Sequence, residues 1–133
     1  MLNQFVEAVK RSLRVRPNLV VPIHVKLDTG MHRLGFDEQE LSELVARLKN
    51  NRSLRVASVF SHLAASDETQ YDDFTRHQAS LFNLIATEFT SHFNYPILRH
   101  MLNSAGIIRF PEFQMDMVRL GIGLYGIAPT THE

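Results

Sequence analysis

Four times in 133 residues, apolar side chains spaced three and four apart give way to a short strand-like stretch. This repeated change of period restricts the chain to few architectures. Leu2, Phe5, Val6, Val9 and Leu13, with Asn3, Gln4, Glu7, Lys10 and Arg11 between them, predict an amphipathic helix that Pro17 and Asn18 end. In Leu19 to Asp28, Val21, Ile23, Val25 and Leu27 alternate with Pro22, His24, Lys26 and Asp28, which predicts a strand. Asp37 and Glu40 form a capping-box pattern ahead of a helical stripe of Leu41, Leu44, Val45 and Leu48, closed by Asn50 and Asn51. A second strand is expected at 55–60, followed by a helix over 71–89 with Phe74, Leu81, Phe82 and Ile85 on its buried side. A third strand runs from Pro96 to Leu102, Asn103 or Ser104 caps a short helical turn, and Met117 to Leu120 supplies a fourth strand. Strands separated by helices pair in parallel through right-handed crossovers, so the class is α/β.

The first strand separates an open sheet from a barrel. Its second alternate set, His24, Lys26 and Asp28, gives a polar face near the carboxyl end, as the inside of a barrel active site requires. A sheet covered on both sides favours a continuous apolar run. The expectation is therefore part of a (β/α)8 TIM barrel, about four βα units, with residues 1–133 forming one piece of a barrel domain. About 250 residues complete that fold, so two open sheet edges and self-association are expected.

Fourteen basic residues balance fourteen acidic ones, so no net field favours nucleic acid or an anionic membrane, and a small-molecule partner is the default. No cysteine is present, which excludes disulfides, thiolate metal sites and a cysteine nucleophile and suits the cytoplasm. The seven histidines show no metal-ligand spacing. The first sixteen residues lack the apolar core of a secretory signal, and no apolar run is long enough to cross a bilayer.

Each predicted strand ends in a segment able to carry chemistry: Lys26 to Gly35, Ser61 to Ala64, Asn103 to Gly106, and Arg119 to Gly126. In a (β/α) barrel these loops share one face. Ser104 offers a hydroxyl, and Gly121-Ile122-Gly123 offers unobstructed backbone N–H groups, a combination suited to phosphate.

These four segments, in this order, resemble the alanine racemase family over almost the whole chain. The resemblance implies pyridoxal 5′-phosphate as cofactor, interconversion of L- and D-alanine, a cytoplasmic homodimer, and D-alanine supply for peptidoglycan. It implies that Arg119 hydrogen-bonds the pyridine nitrogen, that Ser104, Gly121 and Ile122 hold the phosphate, and that His62 supports the ring and orders Arg119. Asn103 and Tyr125 would lie on the phosphate side. Arg33 would face the substrate carboxylate and the phenolic oxygen, and Lys26 matches a lysine carbamylated in many members, which then orients Arg33.

In the family a lysine on the first barrel strand holds the cofactor covalently, and a tyrosine from the partner subunit's β domain is the opposing base. Neither segment has a counterpart in this sequence, so the chain alone is expected to be inactive. Other racemases of the same fold, acting on serine or broadly, and a noncatalytic cofactor-binding relative remain alternatives. Asp28-Thr29-Gly30 also resembles the aspartic-protease motif, but an all-β protease does not accommodate this much helical periodicity. Ser61, His62 and Asp67 have the residue types of a hydrolytic triad without a nucleophile elbow.

Overall fold

The computed structural model describes residues 2–129. In chain order it contains α1 (Leu2–Leu13), β1 (Val21–Lys26), α2 (Leu41–Lys49), β2 (Leu54–Phe60), α3 (Asp72–Ser91), β3 (Leu98–His100) and α4 (Ser104–Arg109). Short 3₁₀ turns at Glu38–Glu40, Thr69–Tyr71, Pro111–Phe113 and Ile122–Tyr125 connect or follow them. The three strands form one parallel sheet in the order β1-β2-β3.

One face of that sheet is the core. Val25, Leu27, Val56 and Val59 meet Leu41, Leu44, Val45 and Leu48 of α2 and Ala79, Phe82, Ile85, Ala86 and Phe89 of α3. Phe82 and Phe89 are wholly buried, each stabilising the fold by about 2–3 kcal/mol through removal of apolar area from water. The helices therefore occupy one side of the sheet and leave the other to His24, Lys26, Ser58, Phe60 and His100, as in a segment of barrel wall. The alternation expected in the first strand is observed: Val25 is buried while His24 is exposed.

The pairing of β1 with β2 contains a bulge. Ile23 pairs with Val56 but His24 pairs with Ser58, so Ala57 is passed over. Beyond that point Ser58 and Phe60 stand level with His24 and Lys26, and Phe60 also stands level with His100 of β3. Bulges re-aim side chains in this way and cluster beside functional sites.

The Asp37–Glu40 capping box forms in full, with both reciprocal bonds present, and starts the 3₁₀ turn that leads into α2. Asp72 and Asp73 sit in the first turn of α3, where carboxylates oppose the helix dipole. Asp72 also accepts from Arg109 at 2.6 Å, tying α3 to α4.

Two expectations are corrected. The fourth strand at Met117 to Leu120 does not form. The segment reaches β3 only where Asp116 N–H donates to Arg99 O and Arg119 N–H donates to Leu102 O. The Asp116 carboxylate takes the Arg99 N–H at 2.7 Å that a neighbouring strand's carbonyl would otherwise accept, so no ladder propagates. Phe74 is exposed rather than buried, because the inner face of α3 is turned toward Thr75 and Gln78, both 0% exposed. Phe74 instead covers Gly30 in the loop after β1.

Candidate functional site

The loop after β1 folds back on its own strand. Phe36 N–H donates to Lys26 O and Asp28 N–H to Phe36 O, closing a bridge beside Leu27. Gly35 permits this: its φ is +129°, and a Cβ there would lie 2.8 Å from the Asp28 nitrogen. The Asp28 carboxylate caps the turn by accepting from Gly30 and His32 N–H, so the Asp-Thr-Gly sequence is a βα turn. These backbone N–H bonds hold the Asp28 carboxyl below its ordinary pKa against the opposing effect of burial. The closed loop places Arg33 and Lys26 on one cavity of about 780 Å³, together with His24, Phe36 and Phe60. Burial, then the nearby Arg33 charge, lowers the Lys26 pKa and raises its neutral fraction.

Two loops further on, Arg119 is clamped. Its Nη1 donates to His100 Nδ1 at 2.5 Å, and its Nη2 donates to Ser61 O at 2.6 Å, His62 Nδ1 at 3.2 Å and Met101 O at 3.3 Å. The guanidinium also lies over the Phe60 ring, which stacks on His100. Among the described residues no carboxylate touches it, so a half-buried cation is held by neutral acceptors alone. A guanidinium only donates, so both imidazoles must present lone pairs and remain neutral. Their pKa values agree. Burial, followed by the Arg119 charge, lowers His62 and pushes His100 down to about 4.

Ser104 starts α4 behind an Asn103 cap whose Oδ1 accepts from Gly106 N–H and Ser66 Oγ. Ser104 Oγ accepts from Gly121 N–H at 2.9 Å and Gly123 N–H at 3.1 Å. With its lone pairs occupied, the hydroxyl has its own proton to donate outward. The Ile122 amide is the first of a 3₁₀ turn and has no acceptor within it. A Cβ at Gly123 would lie 3.4 Å from Ser104 Oγ and 3.0 Å from Leu120, so a side chain there would crowd the cradle. The Ser104 hydroxyl proton and the Ile122 amide are the donors left by this arrangement, chemistry suited to an anion.

The structure thus joins His62 with Arg119, Ser104 with Gly121, and Arg33 with Lys26. Asn103 acts as the helix cap, and Tyr125 stands 80% exposed without touching the other site residues through a hydrogen bond. His100 was missed by sequence reasoning. Its only signal was an imidazole beside Arg99 in the mostly apolar stretch from Ile97 to Leu102.

A sequence model of the alanine racemase N-terminal domain matches residues 2–129. The chain belongs to the alanine racemase family. It is 42% identical over 117 residues to the alanine racemase of Nitratidesulfovibrio vulgaris, covering 87% of this chain and 31% of that one. It is 40% identical over 120 residues to the alanine racemase of Nitrosococcus oceani, covering 90% and 32%. The solved alanine racemase of Streptomyces lavendulae superposes with a TM-score of 0.81 at 29% identity, over 93% of this chain and 33% of that structure. The chain therefore spans about a third of the alanine racemases it matches. Its three parallel strands and flanking helices are part of the alanine racemase barrel.

Proposed function

We propose that this chain forms the cofactor-binding wall of a pyridoxal 5′-phosphate-dependent alanine racemase, and that the protein carrying it interconverts L- and D-alanine in the cytoplasm for peptidoglycan synthesis. The observation that carries the reading is the Arg119 guanidinium, held by neutral acceptors in the segment that leads directly into the Ser104 and Gly121–Gly123 cradle.

The residues present fit the cofactor. Ser104 Oγ–H and the Ile122 amide are the donors for its phosphate, with Gly121 and Gly123 shaping the backbone around them. Asn103 fixes the turn that carries Ser104, and Tyr125 borders the phosphate side. Bound pyridoxal 5′-phosphate supplies an electron-withdrawing ring that acidifies the substrate's α-hydrogen. Arg119 donates to the ring nitrogen without surrendering its proton, because a guanidinium is too basic to lose one. Donating in this way, Arg119 would leave a bound ring's nitrogen without a proton and so favour return of the α-proton over side reactions. His62 and His100 keep the guanidinium in place with lone pairs.

Arg33 faces the substrate carboxylate with its planar donor fork. Lys26, whose pKa is lowered, provides the neutral amine whose nitrogen adds to carbon dioxide and gives up one proton to water, leaving a carbamate anion that orients Arg33. Racemisation needs a base on each face of the α-carbon. Lys10, Lys26 and Lys49 are the lysines of this chain and none stands in a segment like the family's cofactor lysine, so one base comes from outside it and the other from a partner subunit of a homodimer.

The test uses the longer protein and the 133-residue chain in parallel. The longer protein with cofactor should form D-alanine from L-alanine and exchange the α-hydrogen with deuterated water, whereas the chain should bind the cofactor without turnover. No α-hydrogen exchange by the longer protein overturns the enzymatic reading in favour of a binding protein. Faster exchange with serine than with alanine overturns the substrate assignment.

A further inference from the structure

The hydrogen bonds that begin at Arg119 continue past His100. His100 Nε2 lies 3.0 Å from Ser58 Oγ, and the same hydroxyl lies 2.6 Å from His24 Nδ1. Ser58 is 0% exposed and His100 4% exposed, so their polar atoms depend on one another rather than on water.

The direction of the first two bonds follows from Arg119. Arg119 can only donate, so His100 Nδ1 is a lone pair and the one proton of the neutral ring sits on Nε2. That proton is donated to Ser58 Oγ. Having accepted it on one lone pair, the hydroxyl keeps its own proton to give, and the one-way line takes His24 Nδ1 as its acceptor. The opposite tautomer of His100 would set two N–H groups against each other at the 2.5 Å contact with Arg119.

We propose that Ser58 and His24 are positioning residues for Arg119. They complete a one-way chain, Arg119 to His100 to Ser58 to His24, that fixes the tautomer of His100 and through it the plane of the guanidinium. The bulge at Ala57 makes the chain possible by bringing Ser58 level with His24. His24 ends it on the wall of the cavity that also holds Lys26 and Arg33, so the substrate side and the ring-nitrogen side of the site share one line of side chains. The purpose of this line rests on the reading in which Arg119 meets the pyridine nitrogen; the line itself does not.

The test is ¹⁵N NMR of the 133-residue chain without cofactor, comparing the wild type with Ser58→Ala, Ser58→Thr and His24→Phe. In the wild type, His100 should show a lone pair at Nδ1 and a proton at Nε2. Ser58→Thr keeps the hydroxyl and should preserve that signature. Ser58→Ala and His24→Phe should each speed exchange of the Arg119 Nη protons by about fivefold, the equilibrium equivalent of one neutral hydrogen bond, with the β1–β2 amide shifts retained. Should Ser58→Ala fail to fold, His24→Phe decides, since His24 lies on the exposed face. Unchanged Arg119 exchange in folded His24→Phe, or a wild-type His100 protonated at Nδ1, overturns the proposal. Adding pyridoxal 5′-phosphate tests the functional reading separately: unmoved Arg119 signals would reject the contact with the ring while leaving the hydrogen-bonded line intact.

Discussion

Acid should weaken this fold through one imidazole, His100. Burial, reinforced by the Arg119 charge, lowers its pKa from 6.5 to about 4, whereas in the unfolded chain it titrates near 6.5. Between those two values the unfolded state binds a proton that the folded state refuses. Stability is therefore complete above about pH 6.5 and falls as the pH drops, until the folded state also takes up the proton near pH 4. From about pH 7.5 to about pH 5 the two values correspond to a loss of about 2 kcal/mol, reduced to about 1 kcal/mol by solvent screening across the open sheet face. Urea unfolding at both pH values would measure it in the wild type and in His100→Gln, whose amide still accepts from Arg119 but does not titrate. Stopping at about pH 5 keeps most carboxylates ionised, and His62, also lowered, contributes to both proteins and cancels in the comparison. The wild type should lose about 1 kcal/mol more than the variant over this interval. Equal losses would refute the claim that His100 is held neutral in the folded chain.

Gly35→Ala should destabilise the chain by about 2–3 kcal/mol, since it forces an L-residue to φ +129° with a Cβ against the Asp28 nitrogen; a urea midpoint equal to wild type would show that the loop does not close as described. Ser104→Ala removes the outward hydroxyl and the acceptor for two glycine amides, so affinity for pyridoxal 5′-phosphate should fall by roughly thirtyfold in a fluorescence titration; unaltered affinity would place the phosphate elsewhere. Phe82→Ala opens a cavity between α3 and the sheet and should cost about 3–5 kcal/mol by urea unfolding, whereas Phe74→Ala on the exposed side of α3 should cost markedly less.

How much of this was legible depended on whether a residue's signal was local. The alternation of Val25 and Leu27 with His24 and Lys26 needed only a period of two, and the capping box at Asp37 and Glu40 needed only a spacing of three. Both formed. Met117 to Leu120 looked equally regular, but whether it paired depended on Asp116, whose carboxylate takes the Arg99 N–H in place of a strand carbonyl. The helical spacing of Phe74 with Leu81, Phe82 and Ile85 predicts a buried side chain, yet Gln78 holds that face by accepting from Ala64 N–H and donating to His62 O. The strand-end segments identified the neighbourhood of the site, while His100 entered it only through contact with Arg119, nineteen positions away in the chain. The irregularity in β2 did leave a trace: the core residues Val56 and Val59 are three apart, out of phase for an unbroken strand.

That extra residue divides β2 into two functional halves. Up to Val56 the strand supplies scaffold, and from Ser58 onward it lends its inner edge to the chemistry. Drawing Ala57 into a regular ladder would rotate only the second half, turning Ser58 and Phe60 into the helix layer and Val59 toward the inner face, because a shift of one residue exchanges the two faces of a strand, whereas deleting Ala57 would keep every face as it is. Losing the bulge at unchanged sequence would therefore act as an inversion of lining against filling, damaging a site whose residues had all been retained.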